Sequence, residues 1–312
     1  MKPIFPQALP KKATIGIISP SSPQRDKARL DKGIRYLEGL GYTVKLGAHA
    51  RSSHAGYLAG TDQERLADLH NMFRDPQVDA IFCSRGGYGS ARILPNLNVN
   101  LIKKHCKIFV GFSDISALQL SLWNSCGLVT FSGAMPSVDM ADGFDPASEE
   151  QFWRVLTSRK PMGALKQSMP LQTIQRGDAE GRILGGNLSV VCSMLGTPYM
   201  PSLRKCILAL EDVGEESYRI DRMLTQLSYA TASARASAVV YGFWSQDGRP
   251  RGSTAHRDVH EVMAEKLDLT SGPIMSHLMY GHEPTKLTLP FGVLARVSTR
   301  TKRLSLLEPA VQ

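Results

Sequence analysis

The sequence predicts an α/β protein in two parts: an N-terminal domain built on a parallel sheet, and a smaller C-terminal domain of mixed α+β type. Three observations carry that prediction. A chain of 312 residues leaves room for about two globular domains with sizeable cores. From Thr14 to about Thr130, short apolar runs alternate with amphipathic stretches, the rhythm of strands and helices in a parallel sheet. Beyond residue 180 the strand candidates crowd together and the alternation becomes less regular.

Taken in order, TIGIIS (14–19) reads as a buried strand, and residues 25–38 place Leu30, Ile34 and Leu37 on one helical face. Gly39 and Gly41 punctuate the exit before the strand YTVKL, which completes a first βαβ unit. Thr61 caps a helix that runs through Phe73, Asp75-Pro76 stops it, and VDAIFCS (78–84) is the next strand. KIFVGF (107–112) is a fourth strand, followed by a helix over 114–123. The arrangement is Rossmann-like. The N-terminal domain is expected over 1–140 and a linker rich in Pro, Gly, Ser and charge over 141–180, with one short helix at 149–157. The C-terminal domain is expected over 181–312. It should hold GRILGGN, a helix at 188–195, the strand CILALE (206–211), a helix at 217–230, and strands near 237–243, 273–277, 287–298 and 303–307.

Composition excludes several classes. With 42% hydrophobic and 21% charged residues, the chain sits near the average for globular proteins, and no apolar run approaches a membrane span. The N-terminal segment is broken by Pro3, Pro6 and Pro10 and lacks a signal-type apolar run, so a cytoplasmic protein is expected. Five cysteines, an odd number with no C-x-x-C pair, read as reduced and mostly buried thiols. The formal charge of +9 is spread over both halves apart from a cluster at Arg296, Arg300, Lys302 and Arg303. No basic arm or aromatic-interleaved stripe accompanies it, which argues against nucleic acid and leaves an anionic small substrate.

The first βα turn reads S-P-S-S-P where a dinucleotide site needs G-x-G-x-x-G, and no phosphate-binding P-loop occurs. A glycine-rich loop, Ser84 to Gly89, follows the third strand instead. It is either a plain turn or a place where backbone N–H groups approach a ligand. Ser113, in Val110-Gly111-Phe112-Ser113-Asp114, lies where a strand passes directly into a helix, at the sheet edge where α/β folds carry their sites. Locally an N-cap is the simpler reading and a nucleophile on a tight elbow the sharper one. A serine nucleophile needs a base and the base a carboxylate. His282, on the Gly/Pro-flanked loop Tyr280 to Pro284, is the best placed histidine and is equally readable as a surface turn residue. Glu211 ends the apolar run 207–210, with Glu215 and Glu216 as neighbouring competitors and an exposed ion pair as the plain alternative. His256 and His260 stand at H-x-x-x-H spacing without a third ligand, the pattern of a solvated face more than of a zinc site.

Together these stretches resemble the LD-carboxypeptidases, the muramoyltetrapeptide carboxypeptidases of bacterial cell-wall recycling. The likeness runs through IGIISPSSP, SRGGYGS, VGFSDISAL, GRILGGNLS, GTPY, LALEDVGEESYRIDRML and YGHEPTKLTLPFGVLA. The resemblance implies a serine peptidase with Ser113 as nucleophile, Glu211 as orienting carboxylate and His282 as base, in a cleft between the two domains. It implies an oxyanion hole from backbone N–H groups of Gly87 and Asp114, and substrate contacts from Arg85 and Gly86. It further implies a murein tetrapeptide substrate that loses its terminal D-alanine, no cofactor or metal, no nucleic-acid or membrane partner, and a homodimer. A related branch, of microcin-immunity type, hydrolyses acyl- or peptidyl-nucleotide antibiotics. It tends to be longer, so the compact chain points to the cell-wall branch. A non-enzymatic two-domain ligand-binding protein is the rival from another class.

Overall fold

The computed structural model describes residues 2–245 and 258–312, which divide into two compact units. The first comprises 1–160, 288–292 and 309–312; the second comprises 161–287 and 293–308.

In the first unit β1 (Thr14–Ile18), α1 (Lys27–Gly39), β2 (Thr43–Leu46), α2 (Asp62–Arg74) and β3 (Ala80–Cys83) follow one another as the periodicity predicts. Asp26 caps α1 by accepting the Ala28 N–H, and Thr61 with Glu64 forms a reciprocal capping box on α2. A 3-10 turn (Ser90–Asn96) and α3 (Val99–Lys104) lead to β4 (Ile108–Gly111), which runs through a turn (Ser113–Ile115) into α4 (Ser116–Cys126). The strand β5 (Thr130–Ser132) and helices α5 (Asp139–Asp142) and α6 (Pro146–Thr157) complete it. β5, β4, β3, β1 and β2 lie parallel in that order, and the strand Leu289–Phe291 closes the β5 edge antiparallel. Every residue of β3 and β4 is buried, as strands covered on both faces must be. α4 is buried on nearly all sides, which its even spread of Leu, Ala and Trp permits.

The second unit contains β6 (Gly163–Ala164), β7 (Gln172–Gln175), β8 (Asp178–Asn187), α7 (Leu188–Met194), β9 (Cys206–Val213), α8 (Ser217–Thr231) and β10 (Ala238–Ser245). α9 (Val259–Glu265), β11 (Ile274–Ser276), the returning strand β12 (Leu289–Phe291), β13 (Leu294–Ser298) and β14 (Arg303–Leu306) follow in the chain. Eight strands, ordered β6-β14-β13-β8-β9-β10-β11-β7, form its sheet, parallel from β8 to β11 and antiparallel at both flanks. The mixed character expected of the C-terminal half is thus a parallel centre with antiparallel edges. Among the described residues no helix is long and apolar enough to cross a membrane.

Two expectations are corrected. The strand anticipated over 287–298 is two strands in two different sheets. Gly292, at φ 95°, turns the chain between them, so that β12 pairs with β5 while β13 pairs with β8. The stretch 141–180 holds the expected helix as α6, but also two strands that were not expected, β6 and β7. Phe152 of α6 is fully buried and packs edge-on against Phe82 of β3, an apolar anchor that its polar surroundings in the sequence hide.

Candidate active site

In the first unit, three loops at the carboxyl ends of β1, β3 and β4 come together. Phe112 is extended at φ −154° and Ser113 swings to φ 64°, a left-handed conformation that an L-residue adopts only under constraint. The constraint comes from Asp114, which is 6% exposed and ties the loops to one another. Its carboxylate accepts from the Ser21 hydroxyl and, at 2.8 Å, from the Ser90 N–H, while its carbonyl accepts from the Ser90 hydroxyl at 2.5 Å. Ser113 is not the capping position of either element that follows it: Phe112 flanks the turn and Ile115 flanks α4.

The glycine loop lies directly against that elbow. A Cβ on Gly86 would stand 2.9 Å from the Ser113 Cβ and 3.0 Å from the Phe112 carbonyl oxygen, so only glycine permits the approach. Gly87, at φ 120°, sits beside Ser22, whose hydroxyl accepts the Tyr88 N–H at 3.0 Å. The buried Arg65 guanidinium fixes the loop's far end by donating to the carbonyls of Pro20 and, at 2.8 Å, Gly89. Arg85 is half-buried and donates to the Pro23 carbonyl at 3.0 Å.

The second unit brings Glu211 and His282 together. Glu211, near the carboxyl end of β9, is fully buried, and its Oε2 lies 2.7 Å from His282 Nδ1. Among the described residues its other oxygen, Oε1, has no hydrogen-bond partner. The loop that carries His282 lies on the end of β10: Leu278 N–H donates to Tyr241 and Phe243 N–H to Tyr280. This close approach depends on Gly242, where a Cβ would stand 2.0 Å from the Tyr280 carbonyl oxygen and 3.3 Å from the Glu211 Cβ. The competitors are placed elsewhere: Glu215 reaches Arg219 at 3.7 Å across one helical turn, and Glu216 is the N-terminal flanking residue of α8.

Beside Glu211, Asp212 is buried and accepts from Asn187 Nδ2, Ser189 N–H and its neighbour's Val213 N–H at 2.8–2.9 Å. Burial outweighs those donors and raises its pKa to about 6. The bonds join the ends of β8 and β9, where Asn187 and Glu211 stand in register.

Among the described residues His260 joins no group that could hold a metal ion. It stacks on His277 with ring centroids 4.9 Å apart, and α9 begins only at Val259, so the proposed partner His256 lies outside the described residues. All five cysteines are free, and burial pushes the thiols of Cys106, Cys192 and Cys206 up to about 12.

The sequence reading missed the supporting groups: Ser21 and Ser90 around the elbow, Gly242 beneath the histidine loop, and Asn187 with Asp212. Gly242 alone left a signal, as an isolated glycine inside the apolar run VVYGFW.

The first unit carries a serine elbow on a parallel sheet, and the second carries a buried carboxylate–imidazole pair. Residues 15–133 match the LD-carboxypeptidase N-terminal domain and residues 180–297 its C-terminal domain. The chain belongs to the LD-carboxypeptidase family. A probable murein peptide carboxypeptidase of Bacillus subtilis is 37% identical over 308 residues, covering 97% of this chain and 95% of the relative. The crystal structure of muramoyltetrapeptide carboxypeptidase from Oxalobacter formigenes matches with a TM-score of 0.81 at 30% identity, over 94% of this chain and 98% of that one. Microcin C7 self-immunity protein MccF of Escherichia coli is 27% identical over 95% of this chain and 93% of its own. A structure of MccF in complex with aspartyl sulfamoyl adenosine matches with a TM-score of 0.87 at 26% identity, over 99% and 100% of the two chains.

Proposed function

We propose that the protein is a serine carboxypeptidase that hydrolyses the L,D-peptide bond of murein tetrapeptide and releases the terminal D-alanine, a step of peptidoglycan recycling. In this reading His282 takes the proton of the Ser113 hydroxyl, and the oxygen attacks the scissile carbonyl carbon. Backbone N–H groups of Gly87 and Asp114 hold the resulting oxyanion. Collapse breaks the C–N bond, His282 returns the proton to the departing D-alanine amine, and water hydrolyses the Ser113 ester by the same route in reverse. Glu211 keeps the imidazole oriented and stabilises its cation. Arg85 and Gly86 contact the substrate.

The observation that carries the reading is the Glu211–His282 pair, a fully buried carboxylate 2.7 Å from an imidazole nitrogen. A buried carboxylate hydrogen-bonded to one imidazole nitrogen fixes the ring's orientation and leaves the other nitrogen for proton transfer. The left-handed Ser113 and the name of the Bacillus relative support it. Incubation with murein tetrapeptide, followed by mass spectrometry, tests it: the expected product is the tripeptide together with free D-alanine, and an unchanged tetrapeptide contradicts the reading. We further infer a cytoplasmic homodimer, which cell fractionation and sedimentation velocity check.

A second reading is hydrolysis of acyl- or peptidyl-nucleotides of the microcin type. The structural match to MccF, at TM-score 0.87, exceeds the 0.81 for the Oxalobacter carboxypeptidase, whereas identity orders the two the other way, at 26% and 30%. Identity weighs more here, because backbone likeness reports the shared fold and side chains select the substrate. Parallel assay of an aminoacyl sulfamoyl adenosine and the tetrapeptide separates the two readings.

A further inference from the structure

A cavity of about 220 Å³ opens in the first unit between the N-terminus of α1 and the glycine loop, lined by Gln24, Arg25, Asp26, Arg29, Arg85, Ser137 and Val138. Three guanidiniums meet at it, and they are neutralised unevenly. Arg29 pairs with Asp142 and donates to the carbonyls of Ser137, at 2.9 Å, and Val138, at 3.1 Å. Among the described residues, Arg25 and Arg85 have no ion-pair partner. The one carboxylate in the lining, Asp26, already accepts the Ala28 N–H at 2.8 Å as the cap of α1. Burial, followed by the fields of Arg25 and Arg29, pulls the pKa of Arg85 below its ordinary value, the mark of cations crowded without a counter-charge. A second, independent feature is Ser137, 3% exposed, whose hydroxyl has no hydrogen-bond partner among the described residues. A buried hydroxyl left unpaired costs free energy that an incoming acceptor recovers.

We infer that this cavity is the receptor for the terminal carboxylate of the peptide being shortened, held by Arg25, Arg85 and the Ser137 hydroxyl. The inference rests on the carboxypeptidase reading and deepens it. In a terminal residue the carboxylate carbon stands three bonds from the scissile carbonyl carbon, so its receptor must lie about one residue from the nucleophile. Gly86 packs on Ser113, and Arg85 is its chain neighbour, with Cα atoms about 3.8 Å apart. The cavity is smaller than the roughly 300 Å³ at which sites for larger ligands begin, which suits a single small terminal residue. Guanidinium is the group that grips a carboxylate in two-pronged fashion, and a site built on such donors rejects a ligand that lacks the charge.

The test compares a murein tetrapeptide ending in D-alanine with its C-terminal amide. The unaltered enzyme should prefer the acid by ~100-fold or more in kcat/KM. That ratio should fall below about tenfold in Arg25→Gln and Arg85→Gln, with a smaller fall in Ser137→Ala. Arg25 is exposed, so its variant keeps the fold even if Arg85→Gln does not. Equal slowing of acid and amide, with the ratio kept, would be a structural role and would overturn the inference. Binding decides independently of turnover. Calorimetric titration of Ser113→Ala with both peptides should show the acid at least tenfold tighter, and Arg25→Gln in that background should erase the difference. Equal dissociation constants overturn the receptor whatever the turnover assay shows. Tight, arginine-dependent binding of the acid without D-alanine release by the unaltered enzyme would instead leave the receptor standing and overturn the function.

Discussion

The two units place their candidate groups by different physics. In the first, the backbone does the work: Ser113 is held in a left-handed conformation by the Asp114 clamp and by a glycine that lets the next loop lie against it. In the second, Glu211 is carried on a regular strand with its carboxylate fully buried, and a 2.7 Å hydrogen bond joins it to the His282 imidazole. A strained backbone tolerates little change in shape, whereas a buried charge tolerates little change in chemistry. Substitutions should therefore divide along that line.

The largest effect belongs to the elbow. Ser113→Ala keeps the side-chain volume nearly constant and should lower kcat by roughly 10⁴- to 10⁶-fold with an unchanged melting temperature. Near-normal turnover in a folded variant would remove Ser113 from the reaction. Next comes the chemistry of the second unit. Glu211→Gln is close to isosteric yet loses the charge, and a loss of about 10³- to 10⁴-fold is expected, against less than about twofold for Glu215→Gln. The reverse ranking would move the orienting role four residues along the chain.

Shape in the second unit should matter less. Gly242→Ala puts a methyl group where the Tyr280 carbonyl stands, so the His282 loop must lift and lose its alignment with Glu211. The expected cost is on the order of 10²-fold in kcat. A crystal structure of the variant with the Glu211–His282 distance unchanged would break the link between that glycine and the base.

The smallest effect is on stability. Because burial raises the Asp212 pKa from 3.8 to about 6, the folded state binds this proton more tightly than the unfolded chain does. Its contribution is complete below the ordinary carboxylate range and is lost as pH rises through about 6, by on the order of 3 kcal/mol. Asp212→Asn cannot titrate, so the stability gap between the two proteins, followed by urea unfolding, should shift in favour of the variant between pH 4 and pH 7. A gap independent of pH would contradict the raised pKa.

Much of this was legible in the sequence, and the reason lies in range. β1 to β4, α1 and α2 are written in local periodicity and caps, and Ser113 stands at a strand-to-helix junction that sequence alone locates. The Glu211–His282 contact was reached by resemblance, because 71 residues separate the two side chains and no local pattern encodes the distance. The return of β12 to the first sheet was missed for the same reason: β-pairing partners are chosen by tertiary context, and Leu289–Phe291 has no local mark that sends it to β5. Arg25 and Ser137, 112 positions apart, meet at one cavity only because α1 and the segment after β5 are folded beside each other.

The claim that Ser113 and His282 act as one device is tested most directly by a double-mutant cycle. The kcat values of Ser113→Ala, His282→Ala and the double variant are measured on murein tetrapeptide. Groups that serve a single proton transfer are non-additive, so the double variant should be no slower than Ser113→Ala alone. A double variant slowed by the product of the two single effects would mean that the serine and the histidine act independently, and would contradict the account.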